Sequence, residues 1–200
     1  MKARLPPGWV RLPEAVEAVL LERLATAQEH HAPLRARSTE LRARPLRCVR
    51  GEAVLLRGVD HGTRPPRELR WIDVDGHAVL LPAALEALAA RLPLTLEGPE
   101  ERADWVRVAG AAAPDVLGGV VVESPGELRF QRRPSTEEHA AATRHPAPIE
   151  ELDAGRLGVV VATTGALLRL RVHVTPEGKL TVETQDLLHE GPVCRKAWVH

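Results

Sequence analysis

Six arginines, Arg35, Arg37, Arg42, Arg44, Arg47 and Arg50, stand in the stretch HHAPLRARSTELRARPLRCVRG (residues 30–51) beside a single carboxylate, Glu40. A guanidinium is planar, always charged, and forks onto phosphate or carboxylate with two parallel N–H donors. A cluster of them suits the neutralisation of several phosphates, with binding that weakens as salt rises. Arg132 and Arg133 would extend such a track. Two other roles compete: an ordinary solvated face, and a basic arm that docks on an acidic partner. The chain has no Tyr, one Phe (Phe130) and four Trp (Trp9, Trp71, Trp105, Trp198). A stacking platform for bases would therefore be thin, and any nucleic-acid contact would run to the backbone with little base readout.

The next group with ligating chemistry is His189, Cys194 and His200, spaced H-x4-C-x5-H near the C-terminus. Zinc takes three or four N, S or O donors on a tetrahedron. Cys48, His173 or a carboxylate could complete such a set, although the spacing fits no recognised zinc module. His139 and His145 are six apart. On a helix that sets them about 120° apart around the axis, which is poor for sharing one metal. Asp73-Val74-Asp75-Gly76 begins like a calcium loop, but the twelfth position, where a bidentate carboxylate is needed, is Ala84. It reads as a hairpin turn. Glu100-Glu101 and Glu150-Glu151 fall in loop or linker contexts, where adjacent carboxylates need not converge.

Several chemistries lack their signature. The segment ATTGALL has no lysine to reach a phosphate, so it is no P-loop. No strand is followed by G-x-G-x-x-G, and neither H-E-x-x-H nor G-x-S-x-G occurs. The sequence implies no cofactor and favours a non-enzymatic protein. Two cysteines without C-x-x-C spacing give no disulfide framework. With no apolar run long enough for a span, the reading is a reduced, cytoplasmic protein with no membrane partner. Net charge is zero, yet residues 1–70 carry 14 basic and 8 acidic side chains, and residues 71–200 carry 13 and 19. That split fits a nucleic-acid surface or attraction between the halves, within a chain or between copies.

The elements that must position these residues follow from periodicity. Val16, Leu20, Leu24 and Ala27 make one stripe of a first helix after Pro13. A weaker helix or exposed arm is expected over Leu34–Arg44, stopped by Pro45. EAVLLRGV and ELRWIDVDGHAVLLP read as strands, the second turning at Asp75-Gly76. A short helix places Leu85, Leu88 and Leu92 on one side, and a strand is expected around Trp105–Val108. AGAAAPDVLGG reads as a connector. GVVVESPGELRFQRR reads as a hairpin turned at Pro125-Gly126, and PSTEEHAAATRH as a helix boxed by Ser135 and Glu138. PAPIEELDAG reads as a linker. A meander with turns at Thr164-Gly165 and Pro176–Gly178 follows, then a short helix near Asp186–His189. The segments 119–129 and 158–169 echo each other at an offset of 39 residues, more readily by chance between Val-rich hairpins than by duplication.

The fold class is α+β: an N-terminal helical segment, then antiparallel hairpins and a meander with two or three packed helices. The expected divisions are a basic helical segment 1–50, a hairpin-plus-helix lobe 51–112, and a hairpin-rich lobe 113–200 that either shares the preceding core or has its own. The leading reading is a binding protein that contacts nucleic-acid backbone through the arginine-rich stretch with low sequence specificity. The alternatives are an assembly subunit, self-associating or docked on another protein, and a small metal enzyme built on the C-terminal His/Cys group.

Overall fold

The computed structural model describes residues 8–27, 34, 38–64, 66–81, 83–153, 155–191 and 193. The fold is α+β. A first sheet is a five-stranded antiparallel meander of β1 (Val10–Arg11), β2 (Thr39–Pro45), β3 (Ala53–Asp60), β4 (Arg67–Val74) and β5 (His77–Leu81). A second sheet runs in the order β10 (Leu180–Glu190), β9 (Ala166–Val174), β8 (Arg156–Thr163) and β6 (Val120–Val121). β7 (Glu150–Asp153) also pairs with β8. The helices are α1 (Glu14–Ala27), α2 (Leu85–Arg91), α3 (Pro99–Ala112) and α4 (Thr136–Ala142). Among the described residues no helix is long and apolar enough to cross a membrane.

The first sheet is laid down by local signals. Asp75 and Gly76 both have positive φ, 48° and 85°, the backbone of a primed two-residue turn whose twist matches the strands it joins. Alternation then sorts the two faces. Leu41, Ala43, Leu56 and Trp71 are buried on one face, where Leu20 and Leu24 of α1 and Leu34 cover them. Val16 and Val19 stay exposed, so α1 packs through its second half and the expected apolar stripe is shorter than the sequence suggests.

On the other face Leu55, Ile72 and Leu81 enter the main core. That core continues through α2 and α3 into Leu157, Val159, Val161, Leu170 and Val172 of the second sheet. α3 is its centre. Pro99 occupies its first turn, Glu100 and Glu101 face the positive end of the helix dipole, and Trp105, Val106, Val108 and Ala109 have no solvent exposure. The Trp105 indole N–H donates to the Gly178 carbonyl at 2.7 Å, which ties α3 to the turn between β9 and β10. Gly119 sits where a Cβ would lie 2.6 Å from the Ala162 carbonyl oxygen, so only glycine lets the chain enter β6 against β8.

Six local expectations are corrected. The helix expected over Leu34–Arg44 is a strand from Thr39, because Leu41 and Ala43 alternate inward while Glu40, Arg42 and Arg44 lie on the opposite face. The strand expected at Trp105–Val108 is the middle of α3, a helix buried nearly all round, where a short apolar run has no period to read. The connector AGAAAPDVLGG is partly the end of that helix, and a 3-10 turn (Pro114–Val116) follows. The hairpin at Pro125-Gly126 does not form: β6 is two residues long and pairs with β8, and Pro125–Glu127 is a 3-10 turn. The 119–129 and 158–169 segments therefore have different structures. The linker after Pro146 contains β7, and the helix expected near Asp186–His189 is the end of β10. The capped helix α4 is as read: Ser135 Oγ accepts from the Glu138 N–H at 3.1 Å, and Glu138 accepts from the Ser135 N–H at 2.7 Å.

Candidate functional site

Strand register assembles a feature that spacing along the chain does not show. Arg42 stands directly opposite Arg57, Arg57 opposite Arg70, and Arg11 opposite Arg42. Four arginines thus form one row across β1, β2, β3 and β4, on the face away from α1. At about 4.8 Å between strands the row spans about 14 Å. The neighbouring row of the same face holds Glu40, Val59 and Glu68. Glu40 Oε1 accepts from Arg42 Nη2 at 2.8 Å and from Arg11 at 3.4 Å. Glu68 accepts from Arg57 at 2.7 Å and from Arg70 at 3.2 Å. Arg42 holds the Glu40 carboxyl below its ordinary range, against the opposing effect of burial. Like charges set directly opposite destabilise a sheet, and Glu40 and Glu68 each take two of the four arginines.

A fifth arginine approaches from the second sheet's side. Arg129 follows the 3-10 turn Pro125–Glu127, and its Nη1 donates to the carbonyls of Gly126 and Leu128. Burial, and then the charge of Arg57, lower its pKa, and Arg42 acts in the same direction. Burial likewise lowers the pKa of Arg70. Among the described residues Arg129 bonds no carboxylate, and the buried Arg57 Nε has no hydrogen-bond partner. Glu127, whose charge also reaches Arg70, accepts from the backbone N–H groups of Glu123 and Ser124 at 2.7 and 3.0 Å. Burial raises its pKa. This half of the first sheet therefore gathers charged side chains in surroundings that solvate charge poorly.

Beside the row lies a closed network in which charge is balanced. Glu123 takes Arg44 Nη1 at 2.9 Å and Arg107 through Nε and Nη2 at 2.8 and 2.6 Å. Arg107 also donates to Asp104 at 2.7 Å, and the other Asp104 oxygen accepts from the Arg47 backbone N–H at 2.9 Å. Burial alone would raise the Glu123 pKa, but the bonds and charge of Arg107, with Arg44, outweigh it and hold the carboxyl below its ordinary range. This network joins β2, α3 and the segment after β6. Cys48, buried near Asp104, has its thiol pushed up to about 12 by burial first and by the Asp104 charge second. Both effects disfavour the thiolate that a nucleophile needs.

The arginines singled out in the sequence are dispersed. Arg35 and Arg37 lie outside the described residues. Arg42 is in the row, and Arg44 is committed to Glu123. Arg47 is exposed and paired with Glu100, while Arg50 is exposed and its backbone N–H donates to the Pro93 carbonyl. Arg132 bonds Glu138 at 2.5 Å. Arg133 lines a shallow hollow with Pro134, Ser135, Thr136 and His139. The row's other members, Arg11, Arg57 and Arg70, and Arg129 beside it, were missed. The available signal was the alternation of Arg42, Arg57 and Arg70 with Leu41, Leu56 and Trp71, which sets the arginines on the face opposite α1.

Of the metal-ligand candidates, His189 lies on β10 with its ring stacked on that of His145, the centroids 6.0 Å apart. Cys194 and His200 lie outside the described residues. His139 packs its ring against Phe130. Among the described residues no three His, Cys, Asp or Glu side chains are grouped to hold a metal ion. No protein-family model matches this chain, and comparison with curated proteins and with solved structures returned no match.

Proposed function

We propose that this is a non-enzymatic binding protein that holds the phosphate backbone of a nucleic acid on the arginine row of its first sheet, with low sequence specificity. The observation that carries the reading is the register Arg11–Arg42–Arg57–Arg70, with Arg129 beside it. Guanidiniums side by side at strand spacing suit a chain of phosphates. The row presents no aromatic side chain for stacking, so the contact is to backbone and tolerant of sequence.

The test is fluorescence anisotropy with a labelled single strand across a salt series. Neutralising about four phosphates on a single strand gives a slope of log K against log salt of about −3. Arg42→Gln and Arg129→Gln should each weaken binding and flatten the slope, while Arg50→Gln should change little. Absence of binding at low salt, or Arg42→Gln and Arg129→Gln proteins that bind like the parent, would overturn the reading.

The assembly reading, in which a basic surface docks on an acidic one, is less supported. The carboxylates of β7 and β10 that would receive it are partly used within the chain: Glu151 by Arg102, Glu150 by Arg169, and Asp153 and Glu183 by Arg156.

A further inference from the structure

We infer that the contact between His145 and His189 is an acid-released clasp, which holds residues 136–147 down on the second sheet while both rings are neutral and lets them lift once the rings are charged. The segment has few other ties. α4 fully buries one side chain, Ala142. The segment's two ring contacts are His139 on Phe130, centroids 5.6 Å apart, and His145 on His189 at 6.0 Å with the planes 23° apart. The partner side is fixed. His189 stands opposite Leu167 near the end of β10, where the Gly191 N–H donates to the Gly165 carbonyl at 2.9 Å and the Gly165 N–H to the Val193 carbonyl at 2.7 Å. Ala142 and Ala147 of the segment join Leu128, Val160, Ala162 and Leu167 in a cluster apart from the main core.

Two features make the clasp answer to protons. An imidazolium carries N–H on both ring nitrogens, whereas a neutral ring leaves one bare. His189 Nε2 is buried without a hydrogen-bond partner, a place that suits a bare nitrogen and strands an N–H. Charging both half-buried rings also sets two like charges side by side.

Nearby charge does not compensate. Among the described residues neither ring bonds a carboxylate. Glu138 of α4 is held by Arg132 and by the Ser135 N–H, and Glu137 lies at the far end of the helix from His145. Arg144, beside His145, is exposed and adds a positive charge. On β10, Asp186 stands opposite Arg169 of β9, which also binds Glu150. Glu190 stands opposite Ala166, on the other face of the sheet from His189. Glu123 and Glu127, after β6, are taken by Arg44 and Arg107 and by backbone N–H groups. The residues of β8 in the cluster, Val160 and Ala162, bring no charge. His139 differs, because a charged ring keeps an attraction for Phe130. The acid-sensitive contact is therefore His145 with His189.

The test is amide hydrogen exchange on the full chain at about pH 7.5 and about pH 5.5, either side of the ordinary imidazole value of about 6.5, each rate referred to its intrinsic chemical rate. Protection over residues 137–145 should fall about tenfold at the lower pH, while β3 and α3, elsewhere in the fold, keep theirs. His145→Phe keeps a ring on His189 and removes one titrating group, so its protection should change by less than about twofold. His145→Gln loses the ring contact and should show low protection at both pH values. Equal protection of the parent at the two pH values, or a parent-like fall in either variant, would overturn the inference. A matching fall in β3 and α3 would also overturn it, because the whole chain would then be unfolding. None of these outcomes bears on the arginine row.

Discussion

Replacing Glu123 by glutamine removes the one carboxylate that both Arg44 and Arg107 grip. Glu123 is 7% exposed, and the Arg44 and Arg107 side chains are 11% and 13% exposed. Glutamine keeps the shape and one acceptor oxygen. It also turns an amide N–H toward a guanidinium and leaves the network with an excess positive charge in a poorly solvated place. Breaking a buried ion pair from one side costs about 3–5 kcal/mol. At about 2–4 °C per kcal/mol for a domain of this length, Tm should fall by about 6–20 °C. Urea unfolding followed through the fully buried Trp71 and Trp105 would measure the loss directly. Removing both members, Arg44→Met with Glu123→Leu, should cost less than Glu123→Gln alone, because no charge is stranded. The pH dependence has a definite sign. Glu123 is held below the ordinary carboxylate value, so its contribution is complete above about pH 4.3 and is lost as pH falls through its lower folded value. The gap between parent and Glu123→Gln should therefore close in acid. A variant within about 1 kcal/mol of the parent at neutral pH would refute the view that this network fastens β2 to α3.

Gly119→Ala should be severely destabilising, because its Cβ would meet the Ala162 carbonyl oxygen, a backbone atom that cannot swing away; a loss of only a few tenths of a kcal/mol on urea unfolding would show that β6 has room to shift. Gly76→Ala, at φ 85° in the β4–β5 turn, should cost about 1 kcal/mol with the fold unchanged, read as a lower urea midpoint at constant slope. In a Cys194→Ser protein, Cys48 should resist a thiol-disulfide reagent at mild alkaline pH and react only on unfolding, since burial has pushed its thiol up to about 12; rapid labelling of the native protein would contradict the burial.

What was legible in the sequence is what short-range chemistry decides. Asp75-Gly76, Thr164-Gly165 and the Ser135/Glu138 box each encode a turn or cap within four residues, and each is found where it was read. The misreadings share a cause. Val106 and Val108 look like strand residues, and only their burial between two sheets makes them helical. Leu41 and Ala43 alternate, but the arginines around them drew the reading toward an exposed helix. The candidate site was half legible for the same reason. A dense run of arginines in residues 35–50 is visible in the chain, yet Arg44 and Arg47 have partners from α3 or the segment after β6. The row that replaces the run needs register between β2, β3 and β4, and register is settled by which strand faces bury against α1 and α3, a non-local matter.

β10 has a bearing on how this protein behaves among other chains. Among the described residues it is the outer strand of the second sheet, and Leu187 on it is 61% exposed. Such an edge invites another strand to add to it and, by repetition, a fibril. The pairing of β10 with β9 slips twice, between Val182 and Thr184 and between Leu187 and His189, so its free side is not a straight ladder. Glu183, Asp186 and Glu190 place carboxylates along it at short intervals. A second copy approaching in a two-fold manner would have to mate two bent, acidic edges. The irregularities of β10 thus act as a guard against runaway association, and straightening the strand or neutralising its carboxylates removes that guard without touching the core.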